Sequence, residues 1–307
     1  MHIKRAFNAH HVSLRKHRAQ YLSWGDPAAP AVIMLHGWMD VAASFQFLVD
    51  AMVGEWQVIA LDQRGYGGTE WTRETAGGYW FADYVADLDA LIDHVSPQAP
   101  VHLVGHSLGG NVSCIYAGVR PERVAKLVSL DGFGIPASSA AKAPAQYRKW
   151  LDAIKQGESL SSYDSLAKVA DRLQKNNLRL RRDRAEWLAA QWAQQHDDNR
   201  WHLRADPAHK LPFAAVYRLE ESIAIWNEVT APTLWIGASE SDAKKWNGYS
   251  DDSTVPASRE GHAFGSFESR LAAFQNITFE VVKGAGHMLH HDEPETVAAR
   301  IEAHLLA

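Results

Sequence analysis

The stretch LVGHSLGG, residues 103–110, carries the pattern Gly-x-Ser-x-Gly centred on Ser107. The pattern alone is weak, because Gly and Ser are common residues. Its surroundings are more specific. An apolar run, VHLVG (101–105), precedes it, and LGGNVSCIYAGV (108–119), which is typical of a helix, follows. A strand, a sharp turn and a helix in this order form an elbow that exposes a nucleophilic serine. The stretch therefore predicts a reactive hydroxyl at Ser107.

The composition limits what kind of protein this is. The chain has 307 residues, of which 46% are hydrophobic, with 31 basic and 36 acidic side chains and a formal net charge of −5. We expect no nucleic-acid partner from this balance. The single cysteine excludes an intrachain disulfide. The N-terminus lacks a secretory signal, and no apolar run reaches the ~18 residues of a membrane span. We expect a cytoplasmic protein, and no oligomeric state is indicated.

Short apolar runs alternate with helical patterns over most of the chain. Most of the runs are continuous rather than alternating, which is typical of parallel strands buried on both faces. Strands that alternate with helices predict an α/β fold with a mainly parallel sheet. The expected strands are HVSLR (11–15), AQYLSW (19–24), AVIML (31–35), QVIAL (57–61), VHLVG (101–105), KLVSL (126–130), TLWIG (233–237) and ITFEVV (277–282).

The alternation stops between residues 133 and 229. This region has helical patterns and no convincing strand, and the sheet pattern resumes at Thr230. We therefore predict a core domain formed by residues 1–132 and 230–307, with a helical cap inserted at 133–229. The last helix is predicted over 294–306, opened by a capping box between Asp292 and Glu295.

A serine hydroxyl needs a base within hydrogen-bond reach to act as a nucleophile. His287, in VVKGAGHMLHHDEP, follows the last expected strand and precedes the last helix. Ser107 also follows a strand, and the carboxyl ends of parallel strands meet at one edge of a sheet. We therefore expect Ser107 and His287 to lie together, although 180 residues separate them in the chain.

A developing oxyanion needs two backbone N–H donors. The residue after the nucleophile, Leu108, supplies one, and a loop after an earlier strand supplies the other. The loop His36-Gly37-Trp38 follows the strand 31–35, so Trp38 is the second predicted donor.

The chain resembles the α/β-hydrolase-fold superfamily. The matching motifs occur in the family's order and span most of the chain outside the cap region: LHGW (35–38), DQRGYGGT (62–69), GHSLGG (105–110) and GAGHMLHHDEPE (284–295). The resemblance implies an α/β-hydrolase fold, with a mostly parallel eight-stranded sheet, flanking helices and an inserted helical cap. It also implies a triad in which an acid orients the histidine.

The position of that acid stays open between two strand ends. The family's usual place lies after the strand that follows the cap, where this chain has Glu240 and Asp242. Some family members, including certain haloalkane dehalogenases, carry the acid after the strand that follows the elbow helix, where this chain has Asp131. We assign Asp131, with Glu240 and Asp242 as alternatives.

These residues predict a serine hydrolase that cleaves an ester or related acyl bond of a small, partly apolar substrate through an acyl-enzyme. No cofactor and no metal are expected. A metal site of His287 with His290, His291 and Asp292 is the less favoured interpretation of those side chains. Alternatives with the same residues are a C–C bond hydrolase, a perhydrolase, a lactonase, or a non-enzymatic protein that binds a ligand or a partner.

Overall fold

A computed structural model describes residues 2–71 and 77–307, and an eight-stranded sheet forms its centre. The runs AVIML and QVIAL, for example, are buried in four of five positions, because both faces of the sheet are covered. The strands of this sheet are β1 (Asn8–Leu14), β2 (His17–Trp24), β3 (Ala31–Leu35), β4 (Gln57–Leu61), β5 (Val101–His106), β6 (Val124–Leu130), β10 (Thr233–Ala238) and β11 (Ile277–Val282).

The strand order is β1-β2-β4-β3-β5-β6-β10-β11. The hairpin β1–β2 is antiparallel, β2 pairs antiparallel with β4, and all other neighbours are parallel. The predicted α/β fold with a mainly parallel eight-stranded sheet is confirmed. Six adjacent strands, β4, β3, β5, β6, β10 and β11, are therefore parallel and end at the same edge.

Helices cover both faces of this sheet. On one face Leu88 and Val112 belong to a buried apolar cluster, and on the other face Leu48 and Ile301 belong to a second one. Among the described residues the helices are α1 (Gln46–Ala51), α2 (Phe81–Val95), α3 (Leu108–Val119), α4 (Ala143–Gln156), α5 (Leu166–Asn176), α6 (Arg182–Trp192), α7 (Leu219–Trp226), α8 (Asp242–Asn247), α9 (Phe267–Ala272), α10 (Leu289–Asp292) and α11 (Pro294–Leu306). No helix among them is both long enough and apolar enough to span a membrane.

The region between β6 and β10 is mainly helical, but it also contains strands. The expectation that it has none is wrong: β7 (Ser162–Tyr163), β8 (Ala193–Gln195) and β9 (Trp201–Leu203) form a small antiparallel sheet. These strands have two or three residues each, too few for a period-two pattern to be visible in the sequence. The division into core and cap remains a proposal. Trp226 of α7, within the predicted cap, stacks on Phe133 and on Phe274. All three rings belong to the buried apolar cluster that contains Leu88 and Val112.

The start of α11 differs from the predicted capping box. The N-cap residue is Glu293, and no side chain caps the helix. The Asp292 carboxylate instead accepts hydrogen bonds from Asn177 Nδ2 at 2.6 Å and from the Gly286 N–H at 2.8 Å. Asp292 thus connects the loop before α10 to the segment after α5.

Buried histidines make the fold sensitive to acid. Burial lowers the pKa of His36 to about 4 and the pKa of His209 and of His291 to about 3. Each folded-state pKa lies below the unfolded value of about 6.5. The stability contributed by each neutral imidazole is therefore present above that value and is lost as the pH falls.

At about pH 5 each of these three histidines costs about 2 kcal/mol relative to pH 7. The raised pKa of Asp40, about 6, offsets about 1 kcal/mol of this loss, because that carboxyl gains its proton more readily in the folded state. We expect urea denaturation to show a loss of at least about 5 kcal/mol in the free energy of unfolding, because other buried histidines with a lowered pKa, such as His106 and His290, add to these three. Such a loss is comparable to the total stability of many domains. Equal stability at the two pH values would contradict this prediction.

Candidate active site

Ser107 occupies the turn between β5 and α3 in a strained backbone conformation. Its φ of 52° and ψ of −113° lie outside the regions that L-residues normally adopt. The turn is tight, since a Cβ at Gly105 would lie 2.3 Å from Gly109 O and one at Gly109 would lie 2.1 Å from Leu35 O. Such strain persists where the surrounding structure enforces it, often at functional sites. The Ser107 side chain is only half-buried.

The structure brings Ser107, His287 and Asp131 together at the edge where the parallel strands end. His287 Nδ1 lies 2.7 Å from Asp131 Oδ2, and His287 Nε2 lies 3.0 Å from Ser107 Oγ. An ionised carboxylate only accepts hydrogen bonds, so Nδ1 carries the imidazole proton and Nε2 accepts from the serine hydroxyl. With the proton on Nδ1, His287 Nε2 is free to accept the proton of Ser107 Oγ when the serine attacks.

Asp131 reaches this position from the end of β6. Its backbone adopts the left-handed φ of 49°, and its N–H donates to Ile236 O of β10 at 2.8 Å. The side chain is 0% exposed, whereas that of His287 is 40% exposed. Two further side chains approach the carboxylate. Ser241 Oγ donates to Oδ2, and Tyr249 OH lies 3.3 Å from Oδ1.

The carboxylates of the two alternative acids are exposed and pair with other side chains. The Glu240 side chain is 54% exposed, and Oε2 forms a distant ion pair with Arg179 at 3.8 Å. The exposed Asp242 carboxylate pairs with Lys245 at 3.2 Å. Of the three acids considered from the sequence, the structure places Asp131 against His287.

The loop after β3 lies against the elbow. A Cβ at Gly37 would lie 3.3 Å from Ser107 Cβ, which places the Trp38 backbone beside the serine. Leu108 is the first residue of α3, and the first N–H groups of a helix have no acceptor within the helix. Trp38 is 56% exposed, and its indole Nε1 donates to His209 O at 3.1 Å. Both predicted oxyanion donors therefore belong to segments that adjoin Ser107.

Two buried histidines support these loops. His36 Nδ1 donates to Gly37 O at 2.8 Å, and His36 Nε2 accepts from the Gln63 N–H at 3.0 Å. His106 Nε2 donates to His287 O at 2.8 Å, and burial holds the pKa of His106 well below its usual value. His106 thus fixes the backbone of His287 by a hydrogen bond. The position of His106 beside Ser107 in the sequence does not indicate this contact.

A separate polar group, Asp40 with His290 and His291, lies buried between α10 and the loop after β3. One donor atom from each residue lies within 4.8 Å of the others, so this group could hold a metal ion. However, the Asp40 carboxylate already accepts from Ser44 Oγ at 2.7 Å and from Trp192 Nε1 at 3.0 Å. We assign it no metal, and it differs from the set with His287 and Asp292 considered from the sequence.

Comparisons with known proteins identify the family. The family model for the alpha/beta hydrolase fold matches residues 30–294. The chain therefore belongs to the α/β-hydrolase family.

Two relatives align with this chain over most of their own length. A serine hydrolase-like protein of Danio rerio is 26% identical over 286 residues, which cover 91% of this chain and 82% of that protein. Serine hydrolase-like protein 2 of Homo sapiens is 25% identical over 294 residues, and the alignment covers 92% of this chain and 89% of that protein. Among solved structures, the thioesterase domain from the curacin biosynthetic pathway superposes with a TM-score of 0.82 at 20% identity, covering 97% and 99% of the two chains.

The elbow provides a direct test of the local geometry. In Gly105→Ala the new methyl group would meet the backbone of the following helix, which cannot move aside. We expect a loss of about 3 kcal/mol in the free energy of unfolding, measured by chemical denaturation. Gly261→Ala is the control: its methyl group would meet no atom within 4 Å, so only the left-handed φ of 85° opposes it, at about 1 kcal/mol. Equal losses in both variants would show that the elbow is not tightly packed.

Proposed function

We propose that the protein is a serine hydrolase that cleaves an ester or related acyl bond of a small, partly apolar substrate. The observation that carries this proposal is the continuous hydrogen-bonded chain from Asp131 through His287 to Ser107. Membership of the α/β-hydrolase family and the serine hydrolase-like relatives support it. A serine nucleophile is consistent with acyl transfer, whereas epoxide hydrolase and dehalogenase chemistry uses a carboxylate at this position.

In the first half of the reaction, Ser107 Oγ attacks the carbonyl carbon while His287 Nε2 accepts the hydroxyl proton. The Asp131 carboxylate stabilises the imidazolium that forms and holds Nδ1 protonated. His287 then gives the proton to the leaving group, and the acyl group remains on Ser107. In the second half, His287 accepts a proton from the water that attacks the acyl carbon. The acyl–Oγ bond then breaks, His287 returns the proton to Ser107 Oγ, and the acid product leaves.

The negative charge that develops on the carbonyl oxygen is stabilised by the backbone N–H groups of Trp38 and Leu108. Each such donor contributes about 3 kcal/mol to transition-state stabilisation. The start of α3 adds the positive end of a helix dipole at the same place.

The surroundings of Ser107 favour a substrate with an apolar part. The Trp38 indole is largely exposed and Leu108 is half-buried, so both offer apolar surface next to the nucleophile. Burying such surface against a substrate contributes roughly 25 cal/mol per Å².

A fluorophosphonate probe tests whether Ser107 is activated. We expect intact-mass measurement to show one adduct on the wild type and none on Ser107→Ala, because only a deprotonated serine attacks phosphorus efficiently. Ser113→Ala, which removes a buried hydroxyl on the next turn of α3, is the matched control and should still react. No adduct on the folded wild type would contradict the proposal and favour a protein that only binds its ligand.

The acid is tested by replacing each candidate with its amide. Asp131→Asn should lower kcat for p-nitrophenyl acetate by about 10⁴-fold, because an amide no longer enforces the required tautomer of His287. Glu240→Gln should stay within about twofold of the wild type, as expected for an exposed carboxylate whose ion-pair partner is Arg179. The reverse ranking would assign the acid to Glu240, and a loss of activity in neither variant would contradict the triad.

A further inference from the structure

The Asp131 carboxylate raises a physical problem that His287 alone does not solve. The side chain is fully buried, and an ionised carboxylate away from water needs hydrogen-bond donors to remain charged. His287 Nδ1 satisfies one acceptor position on Oδ2. The remaining positions face Ser241 and Tyr249, two residues outside the triad.

Ser241 is fixed as a donor to this carboxylate. It lies between β10 and α8 and is buried, and its Oγ accepts the N–H of Ala243 at 3.1 Å as the N-cap of α8. A hydroxyl has one proton to donate. Because the start of α8 supplies a donor to the oxygen, the hydroxyl proton is directed at Asp131 Oδ2.

Tyr249 approaches the other carboxylate oxygen. Its hydroxyl accepts the Ala238 N–H at 3.0 Å, and its proton faces both Ala238 O at 3.0 Å and Asp131 Oδ1 at 3.3 Å. Burial, together with the nearby Asp131 charge, raises the pKa of Tyr249, so the phenol stays protonated. Tyr249 therefore binds the end of β10, and its hydroxyl proton can also be donated as a hydrogen bond to Asp131 Oδ1.

The two hydroxyl groups come from neighbouring parts of the chain. Ser241 stands between Glu240 and Asp242, where the resemblance places the usual acid. Tyr249 belongs to the polar insertion KKWNGYSDDSTVPASREGH (244–262), which departs from the compact spacing that the resemblance implies. We infer that Ser241 and Tyr249 are positioning residues that keep the Asp131 carboxylate ionised and aimed at His287. The inference rests on the proposed function, because it assigns these residues to the same triad.

Ser241→Gly tests the inference most cleanly, because glycine is tolerated as an N-cap and only the hydroxyl is lost. We expect kcat/KM for p-nitrophenyl acetate to fall about 10- to 100-fold, as for loss of one hydrogen bond to a charged group. The acid limb of the pH profile should move to higher pH by roughly half to one unit, because a carboxylate with fewer donors favours the imidazolium more strongly. Ser241→Thr restores the hydroxyl and should restore both.

The pH profile is readable because the neighbouring groups do not titrate with the pair. His106, which faces His287 from β5, and His290, which contacts His106 from α10, are buried, and burial holds the pKa of both well below the usual value. Tyr249, which faces Asp131 from the segment after α8, stays protonated. The acid limb therefore reports on the Asp131–His287 pair.

Ser266→Gly is the matched control, since Ser266 is the N-cap of α9 and accepts from the Ser269 N–H at 3.1 Å. It should leave kcat/KM and the pH profile unchanged. If Ser241→Gly behaves like this control, the positioning role is wrong. If Ser241→Gly does not fold, Tyr249→Phe is the deciding variant. A loss of about threefold in kcat/KM, with the acid limb shifted to higher pH, supports the inference. An unchanged pH profile overturns it.

Failure of the proposed function looks different. A wild type that neither turns over p-nitrophenyl acetate nor reacts with the fluorophosphonate, or an Asp131→Asn variant with full activity, would overturn both proposals. Normal triad behaviour with silent Ser241 and Tyr249 variants would overturn this inference alone.

Discussion

A buried carboxylate is the constraint on which the site depends. Asp131 lies at the end of β6 without contact to water, so its charge is tolerated only where donors surround it. The structure supplies them from three separate segments: the loop after β11, the turn after β10 and the insertion after α8. These segments are far apart in the chain, and the carboxylate is where they meet.

The strand order explains how distant residues reach this point. The parallel strands β5, β6, β10 and β11 are neighbours, and each ends at the same edge. The residue that follows each strand, or comes a few positions later, therefore faces the same space. Ser107, Asp131 and His287 occupy such positions. The hydrogen bond from the Asp131 N–H to Ile236 O further ties β6 to β10 just below the carboxylate.

Much of this arrangement could be predicted from local sequence signals. Short apolar runs identified the eight strands of the sheet, and the runs are continuous in strands such as β3 and β4, which are buried on both faces. Ser107 and His287 were placed at one edge because both directly follow such runs. The sharp turn at Ser107 was predicted from the Gly-x-Ser-x-Gly pattern between an apolar run and a helical pattern.

Other features depend on tertiary contacts that no local pattern encodes. The sequence left Asp131, Glu240 and Asp242 as candidate acids, since each follows a strand at the same edge. In the structure Asp131 is buried and bonded to the imidazole, whereas Glu240 and Asp242 are exposed and pair with Arg179 and Lys245. The role of Tyr249 is hidden in a polar insertion, and Asp292 bonds to Asn177 and Gly286 instead of capping α11.

The central claim is that the Asp131 carboxylate holds the Nδ1 proton of His287. Proton NMR in water observes that proton directly, because an imidazole N–H in a strong hydrogen bond to a buried carboxylate resonates far downfield and exchanges slowly with solvent. The account predicts such a resonance in the wild type and in Glu240→Gln. It should be absent in His287→Ala and should move upfield or disappear in Asp131→Asn. A resonance that survives in Asp131→Asn and is lost in Glu240→Gln would contradict the account.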